Sequence, residues 1–302
     1  MKTLKILSFL LIGTIGVQTA FADDGGIKFG IRAGLNMAKI ERSGNSSDEG
    51  EYSSVMTGGT TNPPNNFSYS TTSDESRMGG NLIGFHIGAV ADIKITDFLY
   101  VQPGIMLSSK GTEIENEDED EQTSSGNSQK SNRKYNYSMN PYYIDVPIML
   151  SLKGALADNL ALRVQAGPYL GFGLFGGAES SYKSERYSNG VPDQGNFDPD
   201  NGAKRKVKNV FSPTDEEKEE FEFGGLSRFN CGLSFGIGIE YSNFYLGVSY
   251  NYGLTSLESK YDYNNSNTYE IMPGYETTTI EKGTRENNSY ERTLSITLGY
   301  NF

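Results

Sequence analysis

From Leu226 to Tyr252 apolar and polar residues alternate without a break, and few folds can use such a stretch. Phe229, Cys231, Leu233, Phe235, Ile237, Ile239 and Tyr241 fall on one face. Arg228, Asn230, Ser234 and Glu240, with Gly232, Gly236 and Gly238, fall on the other. After Ser242 and Asn243 the pattern returns through Phe244, Leu246, Val248, Tyr250 and Tyr252. A period of two is that of an extended strand. Strands of soluble sheets run about 5–6 residues, so alternation this long needs another solvent on its apolar side. A strand crossing a bilayer needs about 9–11 such residues, and its sheet must close because hydrocarbon offers no partner to a free backbone group.

The same period recurs along the chain. Strands are expected at Ile27–Met37, Ile83–Lys94, Leu99–Leu107, Tyr143–Lys153, Leu160–Phe172, both arms of the hairpin, and Thr293–Phe302. Three connections are tight, at Thr96–Asp97, Ala157–Asn159 and Ser242–Asn243. The other four, about 38–80, 113–137, 177–225 and 255–290, are long, polar and without apolar periodicity, and read as loops. Strict alternation of short and long connections is the mark of an outer-membrane barrel. The expectation is an all-β protein: a transmembrane, eight-stranded, antiparallel up-and-down β-barrel with four long extracellular loops and both termini in the periplasm. Tyr100, Tyr241, Phe244 and Phe302 are expected in the interfacial aromatic girdle. Inside the third loop, Ser212 as N-cap, Pro213 and an acid at N3 predict a short helix to Phe221.

Composition fits a narrow apolar band diluted by polar loops. Hydrophobic residues make up 36%, there are 36 glycines, and mean hydropathy is -0.51. Lys2 and Lys5, the apolar run Ile6–Val17 and Ala20-Phe21-Ala22 read as a signal peptide over residues 1–22, leaving 23–302 as the barrel domain. The net charge of -12, more negative still without those lysines, excludes nucleic acid as a partner. Cys231 is the single cysteine, so no internal disulfide can form.

Several motifs are similar to those of the PorT-like outer-membrane β-barrel proteins of the Bacteroidetes. They are Gly30-Ile31-Arg32-Ala33-Gly34-Leu35-Asn36, Gly84-Phe85-His86-Ile87-Gly88-Ala89, Gln102-Pro103, Tyr143-Ile144-Asp145-Val146-Pro147, Gly236-Ile237-Gly238-Ile239-Glu240, Tyr252-Gly253-Leu254 and the terminal aromatic strand. The resemblance implies location in the cell outer membrane, with lipid around the barrel. It also implies insertion by the barrel-assembly machinery, which would read Phe302 as its signal. The family's namesake is associated with type IX protein secretion, so a secretion-machinery protein, or an extracellular ligand, is an expected partner of the loops.

The inward face collects Lys28, Arg32, His86, Asp92, Lys94, Asp145, Lys153, Arg163, Arg228 and Glu240. An eight-stranded barrel is only wide enough to be filled by side chains. These charges are therefore expected to pair as a luminal polar network; a narrow conducting pore is the alternative. His86, the single histidine, is expected inside that network rather than at the lipid-facing rim where a lipid-modifying enzyme would need it. No catalytic residue, cofactor or metal site is expected. The acidic run Glu113–Glu121 reads as a solvated loop tip, with cation binding as its alternative, and Asp198-Pro199-Asp200-Asn201-Gly202 has only part of a calcium-loop composition.

Overall fold

The structure is a computed structural model that describes residues 26–42, 46–57, 65–73, 80–124, 127–192, 201–221, 224–272, 275–286 and 288–302. The expected signal peptide, Asn62-Pro63-Pro64 and Asp198-Pro199-Asp200 lie outside them. The first seven strands are β1 (Ile27–Arg42), β2 (Ser46–Thr57), β3 (Asn65–Ser73), β4 (Gly80–Lys94), β5 (Leu99–Ser109), β6 (Thr112–Ser124) and β7 (Asn127–Ala157). Next come β8 (Leu160–Ser188), β9 (Val191–Pro192), β10 (Lys204–Val207) and a helix, α1 (Asp215–Phe221). The last five are β11 (Phe229–Tyr241), β12 (Phe244–Gly253), β13 (Tyr261–Met272), β14 (Tyr275–Glu286) and β15 (Ser289–Asn301).

Eight strands close a ring in the order β1-β4-β5-β7-β8-β11-β12-β15, and β15 returns to β1 through thirteen antiparallel pairs from Gly30↔Asn301 to Arg42↔Ser289. The burial pattern inverts that of a soluble protein. Leu35, Ile83, Ile105, Ile148, Leu170, Ile237, Leu246 and Ile296 point outward and are exposed, Ile237 by 54%, while Arg32, Asp92, Arg163 and Glu240 are buried. An apolar surface running around the whole ring far exceeds what a monomer exposes to water, so its solvent is lipid. At roughly 3.3 Å per residue and a tilt of about 40°, a strand the length of β11 raises the belt to about 30 Å. Inward glycines make room for the large polar side chains. A Cβ on Gly34 would lie 2.6 Å from the His86 ring, and one on Gly299 would lie 2.5 Å from the Arg32 chain.

Aromatic contacts mark both rims. At the tight-turn end Tyr300 packs edge-on against Phe244 at 5.2 Å and Phe302 at 5.4 Å. At the other rim Tyr142 stacks on Phe175 at 4.9 Å, with Phe85 beside it. Tyr241 and Phe244 are exposed as a girdle requires. Tyr100 departs from expectation. It shares the inward parity of Gln102, and its ring lies 4.2 Å from Lys153 Nζ.

The four long connections are not the loops their composition suggests. Two polar β-sheets stand beyond the barrel. One, in the order β13-β14-β2-β3, begins next to the last β1–β15 pair. The other is built by β7 and β8, 31 and 29 residues long, which continue past the rim and are flanked by β6, β9 and β10. The fifteen residues of β7 before Tyr142 reach roughly 50 Å at 3.3 Å each. Within the ring two strands separate β1/β15 from β7/β8 either way round, so the sheets rise from opposite sides of the mouth. The acidic run is part of this pairing. Glu115 reaches Lys134 diagonally at 2.5 Å and Glu119 contacts Lys130, with Glu117 in register with Lys134 and Asp118 with Arg133. Opposite charges directly across a ladder stabilise it, which is why a run with no apolar period forms a strand.

A small hydrophobic core sits over the mouth rather than within the membrane. Val207, Val210, Phe211, Leu226 and Leu257 pack on Ile40, Met139, Tyr143 and Ala178. Phe211 meets Tyr143 edge-on at 5.4 Å in the space left by Gly173. The chain that supplies Phe211 forms a lid continuing into α1. The helix starts later than predicted, because Thr214 and not Ser212 is its cap. Glu217 N–H donates to Thr214 Oγ1 at 3.2 Å, and Thr214 N–H donates to Glu217 Oε2 at 2.8 Å, a reciprocal capping box. Glu217 has the reach to return to that amide, while Ser212 Oγ is engaged by Arg228.

The backbone N–H groups of Thr214 and Lys208 hold the exposed Glu217 carboxyl below its ordinary value. A lowered carboxylate stabilises the lid above the ordinary pKa of 4.5, and that contribution is lost as pH falls below it. Hydrogen-exchange protection of the Lys208 and Thr214 amides is expected to fall on acidification through this range, and Glu217→Ala to abolish the pH dependence.

Candidate functional site

Polar chemistry concentrates in the lumen as two ionic layers. The lower one sits near the tight turns. Asp92, on β4, accepts from Gln102 Nε2 at 2.7 Å, Arg163 Nη2 at 2.5 Å and Lys153 Nζ at 3.0 Å. Glu240, on β11, lies 3.1 Å from Lys153 and 3.0 Å from Arg163 Nε, the latter an ion contact off the hydrogen-bond line. Two carboxylates and two cations from four strands thus close a square. Arg163 is fully buried within it. Arg32 adds a third cation, donating to Asn301 Oδ1 at 2.7 Å with its guanidinium 4.7 Å from the Tyr245 ring.

The upper layer is centred on Lys110, at the end of β5. Its ammonium reaches Asp145 at 2.9 Å and Glu291 at 3.0 Å, and lies near the rings of Tyr169 and Tyr143. Glu291 also accepts from Thr293 Oγ1 at 2.9 Å and from Asn230 Nδ2. Strands β5, β7, β11 and β15 are thereby tied across the barrel just beneath the lid.

Between the layers, His86 Nδ1 is 2.8 Å from Asn36 Oδ1 and Nε2 is 3.0 Å from Thr297 Oγ1. Asn36 Oδ1 also accepts from Ser295 Oγ at 2.8 Å. These groups line a polar cavity of about 100 Å³. That volume and lining suit a few waters and fall well below the roughly 300 Å³ at which ligand pockets begin.

Of the ten residues expected inside, Arg32, His86, Asp92, Asp145, Lys153, Arg163 and Glu240 meet in the lumen. Three do not. Lys28 and Lys94 stand exposed at the tight-turn rim, where Lys94 pairs with Asp97 at 2.8 Å. Arg228 precedes β11 at the mouth and donates to the Gly173 and Leu174 carbonyls at 3.0 and 3.1 Å, over the Phe211 ring. Lys110, Glu291, Tyr169, Tyr245 and Asn230 join the luminal network without having been expected in it. Glu291 shares the parity of Thr293, Ser295 and Thr297, and Lys110 that of Gln102 and Ser108, so extending each alternation by one step finds both. Among the described residues no cluster of acids, histidine and cysteine is arranged to hold a metal, and lysines engage Glu115 and Glu119 of the acidic run.

A closed ring with an apolar outer belt, aromatic rims and a charged, filled interior is an integral barrel of the cell outer membrane. The chain belongs to the outer membrane protein beta-barrel domain family, whose model matches residues 18–259. No curated protein matches it. Among solved structures it is similar to Ail, the attachment invasion locus protein of Yersinia pestis, at 12% identity over 82% of this chain and 99% of that one, with a TM-score of 0.20. The translocator domain of the autotransporter NalP from Neisseria meningitidis gives 10% identity, 94% and 96% coverage and 0.21. A Pseudomonas aeruginosa FadL homologue gives 8%, 90% of each chain and 0.15. Scores this low define no shared detail; the assignment rests on the family match and the closed ring.

Removing one member of a buried ion pair typically costs about 3–5 kcal/mol, whereas replacing both by apolar residues is often neutral. Arg163→Ala is therefore expected to lower markedly the temperature at which the compact, fast-migrating gel form converts to the unfolded one. Asp92→Leu with Arg163→Met, which leaves Lys153 facing Glu240, is expected to recover most of the loss.

Proposed function

We propose that this protein is a closed, non-enzymatic barrel that acts through the two sheets it holds at the cell surface. The observation that carries the reading is the contrast between its parts. The lumen is crossed by two ionic layers and covered by a hydrophobic lid, while long antiparallel sheets project outward. Nothing so filled needs strands of about 30 residues to serve the membrane; their length serves what lies beyond it. His86 supports the absence of catalysis, since both ring nitrogens face Asn36 and Thr297 rather than a carboxylate. The luminal charges act as structural ties, the belt engages outer-membrane lipid, and Phe302 is the signal for the barrel-assembly machinery.

A second reading places the protein in a type IX-like secretion apparatus. Its support is the order of the PorT-like motifs, from Gly30–Asn36 through Tyr143–Pro147 to the terminal aromatic strand. Purified protein in planar bilayers is expected to stay electrically silent, and sustained unitary conductance would replace the closed-barrel reading with the narrow channel. Stoichiometric copurification of secretion subunits from the outer membrane would move the protein into the apparatus.

A further inference from the structure

Beyond the rim, the lipid-facing column of β7 and β8 continues in water with smaller side chains. Val146 and Leu170 are cross-strand partners exposed to lipid. Every second residue shares their face, and a bulge at Leu174 keeps β8 in step, so the column runs on through the pairs Tyr142–Phe175, Asn140–Gly177, Ser138–Glu179 and Asn136–Ser181. Strands β6 and β10 flank it. One rung across the four strands reads Glu113, Ser138, Glu179, Lys206, and the next Glu115, Asn136, Ser181, Lys204. Long side chains stand mostly at the sides and short ones in the middle, which leaves a half-enclosed groove of about 410 Å³. Lys134 and Lys183 form the next pair and end it, held by Glu115 and Glu185 at 2.5 Å each. On the membrane side Asn140 and Gly177 raise no long side chain between the groove and the stacked rings of Tyr142 and Phe175.

The groove exceeds the roughly 300 Å³ at which ligand pockets begin, as the luminal cavity does not. Three carboxylates and three cationic residues line it, a balance that suits neither a simple anion nor a metal ion. Glu179 is matched by Lys206 at 2.5 Å and Glu115 by Lys134. Glu113 and Lys204, at diagonal corners, form no ion pair among the described residues. Three strand spacings of about 4.8 Å put roughly 14 Å between their strands. Across that width a carboxylate accepts, the Asn136 amide and the Ser138 and Ser181 hydroxyls both donate and accept, and an ammonium donates. A chain of hydroxyl-bearing rings, each hydroxyl a donor and an acceptor, matches this sequence of groups.

We infer that the groove seats the saccharide head group of an outer-leaflet glycolipid, whose acyl chains run down the belt of β7 and β8. Height selects this ligand among lipids. Asn136 lies six residues beyond Tyr142, about 20 Å along the strand and, at the barrel's tilt of about 40°, about 15 Å above the rim. The polar region of a phospholipid leaflet is only about 5–7 Å deep, so a saccharide head group spans the gap and a phospholipid one does not. The inference goes beyond the surface-binding reading, because the ligand belongs to the membrane that holds the barrel.

The test is native mass spectrometry of the detergent-extracted protein, titrated with glycolipid purified from the outer membrane of the same cells or with phosphatidylethanolamine. The expected result is a one-to-one glycolipid complex, displaced by an excess of the deacylated saccharide. Its affinity should fall at least tenfold in Ser138→Trp with Ser181→Trp, which fills the groove, and in the milder Lys204→Glu, while phosphatidylethanolamine binding stays unchanged. Retained heat-modifiability shows that each variant's barrel is intact. Undiminished glycolipid binding to both variants, or no displacement by the saccharide, would overturn the inference by leaving the belt as the only contact. Equal loss of both lipids would overturn it as general damage to the lipid surface, and absence of any glycolipid complex would end it outright. Saccharide bound without glycolipid would reassign the groove to a soluble glycan. The closed-barrel reading is judged separately, by silence in planar bilayers.

Discussion

Hydrocarbon offers no hydrogen-bond partner, so every backbone N–H and C=O within it must be paired inside the protein, at several kcal/mol for each failure. A sheet meets this condition only by closing, and here β15 returns to β1 over its whole length. Closure with eight strands makes a lumen only a few side chains across. A charge inside has no room for a hydration shell and must find its counter-charge among its neighbours. Asp92 takes three donors from three residues, and Lys110 lies between two carboxylates. The ionic layers follow from the ring's size as much as from the residues that compose them.

A filled lumen moves function outward. Where the belt ends, β7 and β8 lose their lipid-facing period but not their hydrogen-bond partners, and a hairpin already in register extends at little further entropic cost. Glu115 diagonal to Lys134 and Glu119 beside Lys130 then hold β6 against β7 in water. The lid closes the remaining opening with the only compact apolar core of the described residues, built where the walls are wet on the outside and need a dry centre. The two surface sheets arise from opposite sides of the ring, so the space between them lies over that lid.

The sequence by itself determined the ring. Wherever a strand has lipid on one face and the lumen on the other, the two solvents impose a strict period of two, and Phe229–Tyr241 or Leu294–Leu298 can be read directly. The inward position of Arg32, His86, Asp92, Asp145, Lys153, Arg163 and Glu240 follows from the same parity. Tertiary structure decided what has the same solvent on both sides or depends on another strand. The surface sheets lack apolar periodicity because water bathes both faces, and only pairing distinguishes them from loops. Lys110 and Glu291 become partners through the stagger of β5 against β15 around the ring. Tyr100 turns in because inward parity outweighs an aromatic's preference for the rim. Thr214 caps α1 because Glu217, three residues on, reaches back to it. Periodicity records which solvent a residue meets, and only the closed fold records which residue it meets.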